Sequence, residues 1–279
     1  QGAACTTFAQ IATPATNSYS DTGLTANTTY RYQVRAQDAA GNLSGYSSVA
    51  SGTTNAGTGG RIIEIFPPAT SSCNEEFENI ANTLVPGDTL IVHGGTYTQT
   101  CRRLIANING TAANPITIRA AAGETPILTR PAGNPENNIE FQNVSYLTIK
   151  GFVFNGGSGG VRFMSGNNIT FEDNTIRNVD ANALTANDSS VNALTIRKNH
   201  IHDTGLDVTA PSEGMYLGCH SGSCIITNSL IEGNYIHNLR GDSNDGIEIK
   251  VGSYNNIVRD NVIHSKSMGG AYPCIFVYG

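Results

Sequence analysis

Five segments of the chain align without a gap: LTIKGFVF at 147–154, ITFEDNTI at 169–176, LTIRKNHI at 194–201, SLIEGNYI at 229–236 and NIVRDNVI at 256–263. Taking Gly151, Asn174, Asn199, Asn234 and Asn261 as one column gives successive intervals of 23, 25, 35 and 27 residues. A period in the twenties, with two short apolar strands and an Asn turn per repeat, leaves each repeat unable to bury its apolar face alone, so the repeats must stack as a solenoid. The Asn column then reads as an internal ladder whose amides satisfy the backbone groups of the turns. Leucine-rich repeats have a similar period but need a Leu-x-x-Leu-x-Leu frame, which these coils lack.

Each coil carries a further strand between those segments: GVRFM at 160–164, ALTAN at 183–187, GMYLG at 214–218, GIEIK at 246–250 and CIFVY at 274–278. Alternation at period two turns Val161, Leu184, Met215, Ile247 and Ile275 inward, together with Phe163, Ala186, Leu217, Ile249 and Val277. Arg162, Thr185, Tyr216, Glu248 and Phe276 then form an exposed outward column. Asn182, Glu213 and Asp245 flank it on one side, and Lys250 and Tyr278 on the other. Parallel strands sit about 4.8 Å apart, which gathers Glu213, Asp245, Glu248 and Lys250 into one cluster on the outer wall. Carboxylates stacked at that distance repel and need a proton, a salt bridge or a cation. A Ca²⁺ ion is one resolution; a solvated Lys250–Glu248 surface pair is another. A second outward column follows the inward Ile of each coil: His202, His237 and His264, with Arg177 at its end. It reads either as a stacked surface ladder or as a row that binds sugar carboxylates.

Composition fits this reading. Charged residues make up only 14% while Gly reaches 31, which suits a turn-rich all-β chain. A formal charge of −6 without a basic stripe argues against nucleic acid as partner. No apolar run approaches the roughly 18 residues a membrane span needs. Six cysteines point to an oxidising compartment outside the cytoplasm, secreted or periplasmic. Cys219 with Cys224 and Cys73 with Cys101 are the expected bridges, leaving Cys5 and Cys274 with partners beyond the ends or as free thiols. The six Asn-x-Ser/Thr triplets carry little weight in so Asn- and Thr-rich a chain.

Ahead of the coils, YRYQVRA at 30–36 alternates as a strand and DAAGN at 38–42 turns. These residues, with the AQDAAGNLS run at 36–44, resemble the second half of a bacterial fibronectin type III domain, which implies a spacer module at 1–54. Residues 55–60 form a Gly- and Thr-rich linker to the solenoid of 61–279. At its start SCNE at 72–75 reads as a capping box, and Phe77, Ile80, Ala81 and Leu84 follow at helical spacing. The expected fold is therefore a right-handed parallel β-helix whose first coil is capped by one short helix, with TLIVHGGTY at 89–97 as a buried strand.

The coil DGIEIKVGSYNNIVRDNVI at 245–263, with GDTLIVHGGTY at 87–97, resembles the polysaccharide lyases of the chondroitinase B and alginate lyase type over most of 61–279. That resemblance implies β-elimination on an acidic polysaccharide, with Lys250 as base and Asp245 and Glu248 as Ca²⁺ ligands. Glu213 joins the ligands by stacking alone. Those lyases bring an Arg from the next coil to the leaving oxygen; here that coil reads CIFVY, and Tyr278 or Tyr216 takes the acid role. Such a base must lose its proton, and lowering a Lys pKa from about 10.4 toward 8 costs about 3 kcal/mol. Arg162, Arg177, His202, His237 and His264 are the expected substrate-binding groups. Two rivals stand beside this reading. A glycoside hydrolase would use Glu213, Asp245 and Glu248 without Lys250, and a non-catalytic β-helix would bind glycans or self-assemble into fibres or with further domains.

Overall fold

Each coil expected from the repeats folds into short parallel strands, and these stack in three sheets around a single apolar interior. The computed structural model describes residues 5–14, 16, 18–21, 24, 28–54, 60–68, 76–264 and 273–278. Two compact units divide at residues 59 and 60. In the second unit the first sheet includes Val144–Lys150, Gly166–Glu172, Val191–Arg197, Leu230–Glu232 and Ile257–Arg259. Its neighbour includes Val153–Asn155, Thr175–Val179, His200–Thr204, Tyr235–Leu239 and Val262–His264. The third sheet holds Val161–Phe163, Leu184–Ala186, Met215–Leu217, Ile247–Ile249 and Ile275–Val277.

The third sheet keeps the register that the alternation predicts. Val161 pairs with Leu184, Leu184 with Met215, Met215 with Ile247 and Ile247 with Ile275. The interior is closed by stacked rings, with Phe152 at 5.8 Å from Phe154, and Phe154 at 5.7 Å from Phe171. Burying one such side chain stabilises the coil by about 2–3 kcal/mol.

Between the first and second sheets runs the Asn ladder. The backbone N–H of Asn174 donates to Asn199 Oδ1, that of Asn199 to Asn234 Oδ1 and that of Asn234 to Asn261 Oδ1, each at 3.0 Å. Each amide also donates across the turn, Asn199 Nδ2 to the Phe171 carbonyl at 2.9 Å and Asn234 Nδ2 to the Ile196 carbonyl at 2.9 Å. The column begins one residue later than the spacing implied. Phe152, not Gly151, stands at its foot, its N–H donating to Asn174 Oδ1 across an interval of 22 residues. Gly151 belongs instead to the row before the ladder, with Asp173, Lys198, Gly233 and Asp260, all at positive φ. That single left-handed residue makes the bend between sheets.

A second difference lies at 89–97. The expected single strand is two, Thr89–Val92 in the first sheet and Gly95–Thr98 in the second. The break falls where the chain turns the corner, with Gly95 at φ 133° and Pro67 so close that a side chain would not fit. Nearby, helix Glu76–Ala81 buries Phe77 and Ala81, and the Phe77 ring meets Phe152 edge-on at 6.1 Å. The capping-box residues 72–75 lie outside the described residues.

In the first unit, Thr29–Tyr32 pairs antiparallel with Ala50–Thr53, so the expected strand at 30–36 stops early. Beyond it an isolated bridge joins Gln37 and Leu43. The Asp38 carboxylate accepts from the N–H groups of Ala40 and Asn42 at 2.9 and 2.8 Å, which folds the expected turn.

Candidate active site

Strands Met215–Leu217 and Ile247–Ile249 lie side by side, with Tyr216 opposite Glu248. Because Ile247 and Ile249 point inward, Glu248 points out, and Lys250 leaves the end of the same strand next to it. The outward direction is as expected; the exposure is not. Glu213 is 4% exposed and Asp245, Glu248 and Lys250 are each 3% exposed, so the cluster is covered instead of lying open on the wall. The cover is aromatic. Lys250 Nζ sits 4.2 Å from the Tyr216 ring centre and 4.5 Å from that of Tyr278, and it donates to Glu248 Oε1. A solvated surface pair is thereby excluded.

Within the cluster one salt bridge pairs Lys250 with Glu248, and Glu213 and Asp245 remain as carboxyl groups beside it. Burial pulls the Lys250 pKa down, but its bond to Glu248, the charge of Glu248 and the contact with Tyr216 outweigh that and hold it above the ordinary value. Lys250 is therefore an ammonium, opposite to the lowered pKa that a resting base needs. Glu213 has no cation of its own. Burial, with the charges of Glu248 and Asp245, pushes its pKa up to about 7 against its own backbone hydrogen bond and Lys250. Burial also raises the Tyr278 hydroxyl above its ordinary range. The Glu213 backbone N–H is held by Asn182 Oδ1 at 2.9 Å, which fixes this residue to the preceding coil.

Ca²⁺ is the expected companion of Glu213, Asp245 and Glu248. Glu248 is committed to Lys250, and among the described residues no group of three or more His, Cys, Asp or Glu side chains is arranged to hold a metal ion. Glu213 Oε2 and Glu248 Oε2 are buried without hydrogen-bond partners.

Two loops bracket the Tyr216 strand, and both are lengthened in the coil between Asn199 and Asn234, whose interval of 35 is the longest in the ladder. One, at 205–214, delivers Glu213. The other, at 218–225, is closed by the Cys219–Cys224 disulfide, which forms as expected. Gly218 backs directly onto Lys250, leaving only 3.0 Å to its Cβ from where a side chain would start. On the same loop exposed His220 meets the Tyr278 ring edge-on at 6.2 Å. His220 is a site residue that the repeat pattern missed, because it lies in an insertion outside the alternation. Cys101 is disulfide-bonded, and its expected partner Cys73 lies outside the described residues. Cys5 and Cys274 are free thiols.

Arg162 shares the outward column of the third sheet with Tyr216, two strands away, and is paired with Asp188 at 3.1 Å and Glu140 at 3.8 Å. The other expected binding residues form the predicted row, Arg177 beside His202, His202 beside His237 and His237 beside His264. That row belongs to the second sheet, not to the sheet of Lys250, because it follows the ladder turn in each coil. The residues named together from sequence thus form two separate sets, and Arg162 alone stays with the Lys250 cluster.

One solved structure shares this architecture. The solved alginate lyase from Paenibacillus sp. str. FPU-7 superposes with a TM-score of 0.63 at 20% identity, over 78% of this chain and 74% of that one. Pectate lyase Pel9A matches with a TM-score of 0.45 at 16% identity, over 72% of this chain and 56% of that one. Curated relatives match only short stretches. An alpha-amylase of Niallia circulans is 54% identical over 48 residues, 17% of this chain, and exoglucanase B of Cellulomonas fimi is 46% identical over 63 residues, 23% of this chain. This chain spans 4% and 6% of the length of those two proteins. A family model described as a right handed beta helix region matches residues 93–237 and 137–278. The stacked parallel coils, their internal Asn ladder and this match together show that the chain belongs to the right-handed β-helix family.

Proposed function

We propose that the second unit is an extracellular polysaccharide lyase that cleaves a uronate-containing glycan by β-elimination, with turnover depending on Lys250. The observation that carries this reading is the ammonium of Lys250 set between the rings of Tyr216 and Tyr278 on the outer side of the third sheet. The solved alginate lyase of the same coil architecture supports the substrate class. The Cys219–Cys224 disulfide supports an oxidising compartment.

A hydrogen next to a uronate carboxylate is too weakly acidic to remove until the carboxylate charge is offset. Lys250, held protonated by Glu248, is suited to supply that offset and to stabilise the charge that develops as the proton leaves. The proton then passes to Tyr216, which must enter the step as phenolate, while Tyr278, whose hydroxyl stays protonated, gives its proton to the leaving oxygen. This exchanges the base role expected for Lys250 for an electrostatic one. Arg162, on the same outward column, is our candidate for holding the carboxylate of a further sugar of the glycan, in exchange for its pairing with Asp188.

Substitution separates the two roles. Lys250→Ala is expected to lower turnover by about 10³-fold, and Tyr216→Phe by at least about 10²-fold. Lys250→Arg keeps the charge but cannot act as a base, so it is expected to retain at least tenfold more activity than Lys250→Ala. Formation of unsaturated, ultraviolet-absorbing product from alginate, pectate and glycosaminoglycans is the measurement. Normal activity of Lys250→Ala would sink the proposal, and equal loss in the Arg and Ala variants would return Lys250 to the base role.

One observation favours a second reading. A buried carboxyl near pH 7, as at Glu213, is what the general acid of a glycoside hydrolase requires. Cleavage without an unsaturated product, lost in Glu213→Gln but kept in Lys250→Ala, would select it. For the first unit we propose the second half of a fibronectin type III module acting as a spacer, on the support of its antiparallel pair and Asp38 turn. We also assign helix Glu76–Ala81 the role of covering the first coil.

A further inference from the structure

The imidazoles of the second sheet have a geometry that a surface ladder does not call for. His200 lies two residues before His202 on the same outward face, so strand His200–Thr204 presents two imidazoles where strand Tyr235–Leu239 presents a phenol and one imidazole. His200 faces Tyr235 and His202 faces His237 in register. The His200 ring nevertheless crosses to the next coil, and its Nε2 lies 2.8 Å from Nε2 of His237. The His202 and His237 rings are nearly parallel, 7° apart at 5.2 Å, and His237 and His264 repeat the same spacing and angle. Rings stacked face to face along the coil axis turn their edges, and so their nitrogens, to the surroundings. Such a row binds through nitrogen atoms, not through ring faces as a sugar platform would.

A carboxylate and a phenol organise the row. Asp203 Oδ2 lies 2.7 Å from His202 Nδ1, and its other oxygen accepts from Arg240 at 2.9 Å and Asn238 at 3.3 Å. The Tyr235 hydroxyl lies 2.8 Å from His264 Nε2. These contacts hold His202 and His264, the neighbours of His200 and His237 in the row. Two nitrogens each about 2.0–2.1 Å from one ion and at right angles are about 2.9 Å apart, close to the separation seen here.

We propose that His200 and His237 form a two-imidazole chelate for a late first-row divalent metal with tetragonal preference, Ni²⁺ or Cu²⁺. Because no third His, Cys, Asp or Glu completes a metal-holding group among the described residues, water fills the remaining positions. The right angle between the ligands favours these ions over tetrahedral Zn²⁺. The site stands on a different sheet from Lys250 and does not depend on the lyase reading.

The test is calorimetric titration of NiCl₂ into the full chain carrying Cys5→Ser and Cys274→Ser, since both free thiols would otherwise compete. One Ni²⁺ per chain is expected, with affinity at least tenfold weaker in His200→Gln and in His237→Gln. His264→Gln, one coil further out, should stay within twofold. Circular dichroism melting checks that each variant folds. In the chain with all histidines intact, Ni²⁺ should also protect His200 and His237 from diethyl pyrocarbonate, read by mass spectrometry. Absence of binding, binding that survives both substitutions, or protection confined to other histidines overturns the proposal and leaves the 2.8 Å contact as a hydrogen bond between two rings.

Discussion

The two units solve the same problem, covering a backbone with side chains, by different means. Among the described residues of the first unit none is buried, and its sheet is one antiparallel pair of four-residue strands. In the second unit nearly every inward position is fully buried, and each strand between the end coils has a partner on both sides. Local turn chemistry such as that of Asp38 suffices to shape a hairpin. Only repetition lets strands of three residues support a core, because each coil supplies both a wall and hydrogen-bond partners for the next.

Breaking the ladder should widen this contrast most. Asn199→Ala strips the acceptor from the Asn174 N–H and the donor from the Phe171 carbonyl, both buried. At about 1–3 kcal/mol for each orphaned group, the second unit should lose roughly 4 kcal/mol. Any transition belonging to the first unit should not move. Scanning calorimetry reads both, and an unchanged second-unit melt would show that the ladder is decoration.

A smaller effect is expected from pH. The Glu213 pKa rises on folding to about 7, so the folded state holds a proton that the unfolded chain releases near its ordinary value of 4.5. The associated stability is complete below about pH 4.5 and is lost as pH rises through about 7. Glu213→Gln should remove that slope, on the order of 3 kcal/mol, and raise the melting temperature at pH 8 relative to the parent. Parallel melting curves of parent and variant from pH 5 to 8 would refute it. The smallest change belongs to the first unit. Asp38→Ala should speed amide exchange at Ala40 and Asn42, whose N–H groups its carboxylate accepts from, and leave the second unit alone.

Much of the second unit was legible from sequence because alternation and repetition are long-range signals written in short-range pattern. The register of the third sheet follows from Met215, Ile247 and Ile275 alone. Which side chains face out was equally readable, since Glu248 lies between two inward isoleucines. Coverage was not. Whether an outward Lys250 meets water or the rings of Tyr216 and Tyr278 depends on side-chain direction across coils, which no spacing encodes. The His237 row was readable as a column of its own, and it lies on the second sheet, apart from Lys250. His220 and His200 escaped for different reasons, one inside an insertion and the other as a second outward residue on a strand already assigned.

The ladder of asparagines spans intervals of 22, 25, 35 and 27 residues with the same 3.0 Å bond at every step. It works as a fastening that ignores contour length: a coil can gain ten residues between rungs without disturbing its neighbours. In the longest coil the added residues went to either side of Tyr216, where they deliver Glu213 and the disulfide loop. Such a frame lets new surface be grafted at one level while the rest of the stack stays as it was, which makes that coil the natural place for descendants of this chain to diverge in what they recognise.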